Sequence, residues 1–143
     1  MAAERTAQVT WSGGLLDGTG TIDRVGSGAF GPLDVTWESR SEESNGRTSP
    51  EELIAAALSS CFSMALSGGL ARAGTPPTKL ETDVVSTFEG GVGITKLAVT
   101  VRGDVPGVDE STFREAAEQA KENCPVSKAL KGNVELTLDA ALA

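Results

Sequence analysis

The chain has no histidine and no tyrosine, and only two cysteines, two tryptophans and four phenylalanines. The missing histidine excludes a Ser-His-Asp triad, a Cys-His nucleophile pair and any His-ligated metal. Two cysteines are too few for a four-thiolate zinc or iron–sulfur site within one chain. No metal and no cofactor is therefore expected. Positive charge is scarce as well, with 12 Lys and Arg against 20 Asp and Glu, a net charge of −8. An acidic surface repels phosphate backbones, so a nucleic-acid partner is not expected. The N-terminal MAAERTAQVTW carries charges at Glu4 and Arg5 and has no apolar core of signal-peptide length. A cytoplasmic location, where thiols stay reduced, follows as the expectation. The chemistry left to such a chain rests on Cys, Arg, Lys, Asp, Glu, Ser or Thr.

What is present is globular in composition: 143 residues, 39% apolar and 22% charged, the size of one domain, taken as residues 1–143. One uncharged stretch of 19 residues, Leu53 to Ala71, has the length of a membrane span. Ser59, Ser60, Ser63, Ser67, Gly68 and Gly69 dilute its hydrophobicity. A helix buried in a soluble protein is the expectation, not a membrane segment.

β-Branched runs at 5–11 and 19–25 and the alternating LDVTWE (33–38) read as strands, with turns between them. The polar 39–49 reads as a turn. Ser49-Pro50-Glu51-Glu52 is a capping box with proline at the first helical position, so a helix should run from there to about Ala73, stopped by Gly74. Its apolar residues fill two neighbouring faces, one through Leu53, Ala57, Cys61 and Met64 and the other through Ile54, Leu58, Phe62 and Ala65. A helix apolar on all sides must be enclosed on all sides. Gly68-Gly69 leaves a bend in its last turns open. Strands are expected at 79–89 and 94–105 as a hairpin, helices at about 110–123 (capped by Asp109) and 125–131, and a last strand at 133–142. The order βββ-α-ββ-α-β makes the fold class α+β, with mostly antiparallel sheets around a long buried central helix. One chain has too few strands to cover that helix, which points to a second copy.

Cys61 lies in the middle of the long helix and Cys124 in Asn123-Cys124-Pro125, at the break between two helices. Free cysteine often packs as an inert small hydrophobe, and that reading stands for each alone. Pro125, however, pushes Cys124 into an extended conformation at a helix cap, where a thiolate is favoured. Two cysteines in such places make a candidate redox pair. Cys61 has no local group to lower its pKa, and an apolar setting raises it. A cation must then come from elsewhere; Arg24, Arg40 and Arg47 are the candidates.

SPEELIAAALSSCFSMAL (49–66), ENCPVSKALK (122–131) and TKLAVTVRGDVPGVDESTF (95–113) resemble the OsmC/Ohr proteins, in the OsmC branch, over roughly residues 5–142. The resemblance implies a thiol-dependent peroxidase that reduces organic hydroperoxides, and hydrogen peroxide, to alcohols. It implies an intertwined homodimer with composite active sites. It places the peroxidatic cysteine at Cys61, the resolving cysteine at Cys124, the arginine that stabilises thiolate and peroxide at Arg40 (Arg47 is the runner-up), and the carboxylate that orients it at Glu51. It implies recycling of the Cys61–Cys124 disulfide by a dithiol, a lipoyl group or lipoylated protein rather than thioredoxin. Leu58 stands where family members often carry histidine, so no base is expected there. Leu53, Leu58, Phe62 and Met64 are candidate pocket walls, though core packing is the better explanation of each taken singly. Two other readings of the same cysteine pair remain: a redox sensor, and a non-catalytic binding domain. Glu51 and Cys61 are ten residues apart on one helix, about 15 Å by rise. If they share a site, Glu51 and its arginine come from the other subunit.

Overall fold

The computed structural model describes residues 1–143, and the chain divides into two compact units, Met1–Leu53 and Ile54–Ala143. The first unit holds an antiparallel sheet of β1 (Ala7–Ser12), β2 (Thr19–Val25) and β3 (Leu33–Val35), in that order. β3 is shorter than the alternation through Glu38 implies. Thr36 instead caps a short helix, α1 (Trp37–Ser41): its Oγ1 accepts the Ser39 N–H at 3.0 Å, and Ser39 Oγ accepts the Thr36 N–H at 3.0 Å. This reciprocal cap offsets the weak helix preference of Trp-Glu-Ser and ends the strand. Ser39 Oγ also lies 3.0 Å from Thr48 O, and a parallel bridge joins Val35 to Thr48. The polar loop after α1 is thus tied back to the sheet, which fixes where the next helix starts.

That helix, α2 (Pro50–Arg72), has the expected start: Ser49 Oγ accepts the Glu52 N–H at 3.1 Å. It continues through Gly68-Gly69 and stops where Gly74 takes φ +85°, a left-handed conformation that costs glycine nothing. The length and composition of α2 would suffice for a membrane span, yet one of its faces is core.

In the second unit, Leu58, Phe62, Leu66 and Leu70 form a four-residue-spaced stripe on α2. They share a core with Leu97, Val99 and Val101 of β5 (Gly93–Asp104) and with Phe113, Ala117 and Ala120 of α3 (Glu110–Asn123). Leu58 and Phe62 are therefore core residues with no exposed surface, whereas Met64, on the other side, is 74% exposed. Within one chain α2 is not enclosed: Ala56, Ala57, Ser60 and Met64 face outward.

β4 (Lys79–Glu89) and β5 form the hairpin, and β6 (Glu135–Leu142) pairs with β5 in parallel. The parallel pairing is made possible by the crossover through α3 and α4 (Pro125–Leu130), since parallel neighbours cannot be joined by a tight turn. Asp109 caps α3 by accepting the Thr112 N–H at 2.8 Å. Gly103 sits under Phe113, and a Cβ there would lie 2.6 Å from the ring.

Candidate functional site

Two residue pairs make up the candidate site, one in each unit. In the first, Arg40 Nε donates to Glu51 Oε1 at 2.8 Å. The Glu51 side chain is 7% exposed and that of Arg40 31%. The arginine comes from the last turn of α1 and the carboxylate from the first turn of α2, and the Ser39–Thr48 contact holds those two turns together. The Trp37 ring, one turn earlier on α1, lies 5.9 Å from the Arg40 guanidinium carbon, within cation–π range. Glu51 Oε2 is buried and has no hydrogen-bond partner. Arg47, by contrast, is on the exposed loop, where its backbone N–H bonds Ser44 O.

In the second unit the two cysteines are free thiols in one core: Cys124 belongs to the buried cluster, and Cys61 packs against that cluster. Cys61 is half-buried and Cys124 has no exposed surface. Cys124 closes α3 through its N–H to Ala120 O at 2.9 Å and begins α4, with φ −59° and ψ 127°, the extended backbone that the following Pro125 enforces. No side-chain hydrogen bond caps α4 at Cys124, and Ser127, in the first turn, is buried.

The electrostatics of the two sulfurs differ. Burial raises the Cys61 thiol, and the hydrogen bond to Cys124 raises it further, against a smaller lowering by the Val126 N–H. Burial also works against the Cys124 anion. The hydrogen bonds from Cys61, from the backbone of Ser127 and Val126 and from the Ser127 side chain outweigh it, and the Cys124 thiol ends below its ordinary value. The two directions are opposite, and the anion is the more favoured on Cys124. None of the groups acting on Cys61 is a cation.

Two residues at the site escaped the sequence reading. Ser127 follows the capping position Cys124 by three residues, the spacing at which side chains meet across a helix start. Trp37 precedes Arg40 by three, the spacing of helix-face neighbours, but the sequence pattern there predicts a strand followed by a turn, not a helix.

Residues 42–139 match the family described as OsmC-like protein. The chain is 42% identical over 142 residues to the peroxiredoxin OsmC of Escherichia coli (strain K12), covering 97% of this chain and 96% of that one. It is 34% identical over 143 residues to the organic hydroperoxide resistance protein OhrA of Bacillus subtilis (strain 168), covering 95% of each. Among solved structures it resembles the organic hydroperoxide resistance protein OhrB of Bacillus subtilis with a TM-score of 0.68 at 27% identity, over 94% of this chain and 97% of that one. With 98 consecutive positions matched by the family and nearly full-length relatives on both sides of the OsmC/Ohr division, the chain belongs to the OsmC-like protein family.

Proposed function

We propose that this chain is a thiol-dependent peroxidase that reduces organic hydroperoxides, and hydrogen peroxide, in the cytoplasm. The observation that carries the reading is that the only two cysteines lie on one core, one partly open and packed against it and the other sealed within it. The names of the OsmC and OhrA relatives support the substrate class.

The Cys61 thiolate attacks the distal oxygen of ROOH. The O–O bond breaks, Cys61 becomes a sulfenic acid, and the alkoxide leaves and takes up a proton as ROH. The Cys124 sulfur then displaces hydroxide from the sulfenic acid; a disulfide forms and water leaves. A dithiol, a lipoyl group or a lipoylated protein in this reading, takes the disulfide back to two thiols and is itself oxidised.

Attack requires the anion on Cys61, yet the groups around the pair favour it on Cys124. A guanidinium brought to Cys61 shifts that preference, because a nearby positive charge stabilises the neighbouring anion. Arg40 is the arginine already oriented by a buried carboxylate. The rise along α2 keeps Glu51 about 15 Å from Cys61 of the same helix. The supply of Arg40 and Glu51 by a second copy, in a homodimer with composite sites, meets both requirements. The outward stripe of Ala56, Ala57, Ser60 and Met64 on α2 offers the apolar surface such a dimer would bury.

Peroxide consumption by wild type, Cys61→Ser and Cys124→Ser, with a dihydrolipoyl reductant, tests the reading. Cys61→Ser should abolish turnover. Cys124→Ser should react once and then advance to sulfinic acid. A binding domain would show no peroxide reaction in any of the three, and a sensor would react once with no turnover.

A further inference from the structure

Arg72 is a cation without an anion. In the second unit Arg102 and Arg114 each meet a carboxylate, whereas Arg72 makes no ion pair and no side-chain hydrogen bond. It lies in the last turn of α2, where a base ordinarily serves the helix end. Here that end is already closed: the carbonyls of Leu70, Ala71 and Gly69 accept the N–H groups of Thr75, Gly74 and Ala73 at 2.9, 3.0 and 3.2 Å. The guanidinium lies one turn back, over two glycines. A Cβ on Gly68 would be 3.2 Å from Arg72 Nη1, and one on Gly69 3.9 Å from Nη2.

Those glycines cost the helix about 1 kcal/mol each relative to alanine. They serve no turn, since α2 continues through them and neither takes a positive φ. Their effect is space. A groove of about 380 Å³ opens between α2 and α3, walled by Ala65, Gly68, Gly69 and Arg72 on one side and by Ala116 and Ala120 on the other. That volume is within the range of small-ligand pockets, about 300–1,000 Å³. Arg72 is the only charged side chain along it. On α2 the groove extends back to Met64, three residues after Cys61, and on α3 it reaches Asn123, the neighbour of Cys124.

We propose that this groove binds an aliphatic chain that ends in a carboxylate, with the head on Arg72, the body over Gly68-Gly69 and the tail toward Cys61. Charge and shape select this ligand together. An unpaired guanidinium offers a planar fork of N–H donors, which fits a carboxylate. A dianion such as phosphate would find one cation and no second. Beyond Arg72 the walls are methyl, methylene and backbone surface, broken only by the carboxamides of Gln119 and Asn123, and they suit an uncharged apolar body. Length sets the chain. The guanidinium stands level with Gly68, which is about 10 Å of rise after Cys61, and about eight extended carbons cover that distance. Met64, 74% exposed and flexible, can adjust to the tail.

Binding needs no reaction at either thiol, so the site holds or fails independently of the peroxidase reading. NMR titration of the reduced protein with octanoate, octanol and octylamine tests it, because the Gly68 and Gly69 amides report affinity and place together. Octanoate should shift both amides. Octanol should bind about ten-fold more weakly, lacking the charge-assisted hydrogen bonds, and octylamine should not bind. Arg72→Gln should weaken octanoate by a similar factor, and Arg72→Lys, which keeps the charge, should recover part of it. Gly68→Leu fills the groove with a better helix former and should abolish binding. Octanoate that leaves the two amides unmoved, binds no better than octanol, or binds Arg72→Gln or Gly68→Leu as tightly as wild type overturns the proposal. Circular dichroism checks the fold of each variant. Should Gly68→Leu fail to fold, octanoate against octanol on wild type and Arg72→Gln decides. A chain that binds octanoate in this way yet consumes no peroxide refutes the peroxidase reading and leaves the groove assigned.

Discussion

Glu51 holds Arg40 by the side of its guanidinium: Nε lies 2.8 Å from Oε1, while Oε2 stays buried without a partner. A carboxylate that met the two Nη groups would occupy the fork with which arginine grips an anion. Pairing through Nε fixes the plane of the guanidinium. In the proposed site Glu51 is thus a positioning residue, and the Trp37 ring lies near the same guanidinium.

Glu51→Ala should therefore lower kcat/KM for an organic hydroperoxide by about 10–100-fold, the scale of losing an aligned donor to developing charge. Arg40→Lys should lose a similar factor, because lysine has a point charge in place of a planar fork. Steady-state peroxide consumption checks both, and circular dichroism checks that the helices remain. Wild-type rates in Glu51→Ala would remove Glu51 from the site.

The ionisation of Cys124 depends most, among the groups that lower it, on the hydrogen bond from Cys61. In Cys61→Ala the midpoint of Cys124, read from thiolate absorbance against pH, should rise. The sign extends to stability. A thiol whose folded pKa is depressed contributes stability that is complete above its unfolded pKa and disappears as pH falls through the folded one. Reduced wild type should thus lose stability relative to Cys124→Ala as pH falls through that window. An unchanged midpoint in Cys61→Ala would mean that Cys61 does not set the ionisation of Cys124.

The parts of the fold marked by local chemistry were legible in the sequence. Ser49-Pro50 and Gly74 bracket α2, Asp109 opens α3, and Pro125 separates α3 from α4 as read. The miss at α1 is also local. The alternation of LDVTWE hid a reciprocal Thr36–Ser39 cap, in which serine takes the place of the usual glutamate. The parallel partner of β5 had no signal, because pairing with β6 depends on the path of the crossover and not on either strand. In the site, the two cysteines and the acid were visible as residue types. The burial of Ser127 in the first turn of α4 after Cys124 was not, since side-chain directions at a helix start are defined only by the folded backbone.

Gly103 on β5 lies against Phe113 of α3, and a Cβ at that position would sit 2.6 Å from two ring carbons. Both residues are buried and the ring has no surface to move into. Gly103→Ala should destabilise the fold by about 1–3 kcal/mol through overpacking, measured by urea unfolding. The double change Gly103→Ala with Phe113→Leu should recover part of the loss if the ring clash is its cause, and a neutral Gly103→Ala would show that the sheet and helix can separate without cost.

The composite site makes the sharpest prediction, because it turns two dead proteins into a live one. Cys61→Ser keeps Arg40 and Glu51 but has no nucleophile. Arg40→Ala keeps the nucleophile but not the guanidinium. If each site takes its sulfur from one subunit and its arginine from the other, a hybrid dimer contains one site with both defects and one with neither. Unfolding the two variants together and refolding them as an equal mixture gives hybrids as half of all dimers, and about a quarter of wild-type activity should return under random pairing in a two-fold dimer. Either variant refolded alone should stay inactive. If sulfur and arginine belonged to one chain, every hybrid site would carry one defect and no activity would appear. Mixed refolding without recovery, while size-exclusion chromatography shows hybrids formed from tagged and untagged chains, would place the catalytic arginine in the same subunit as Cys61 or deny Arg40 the role.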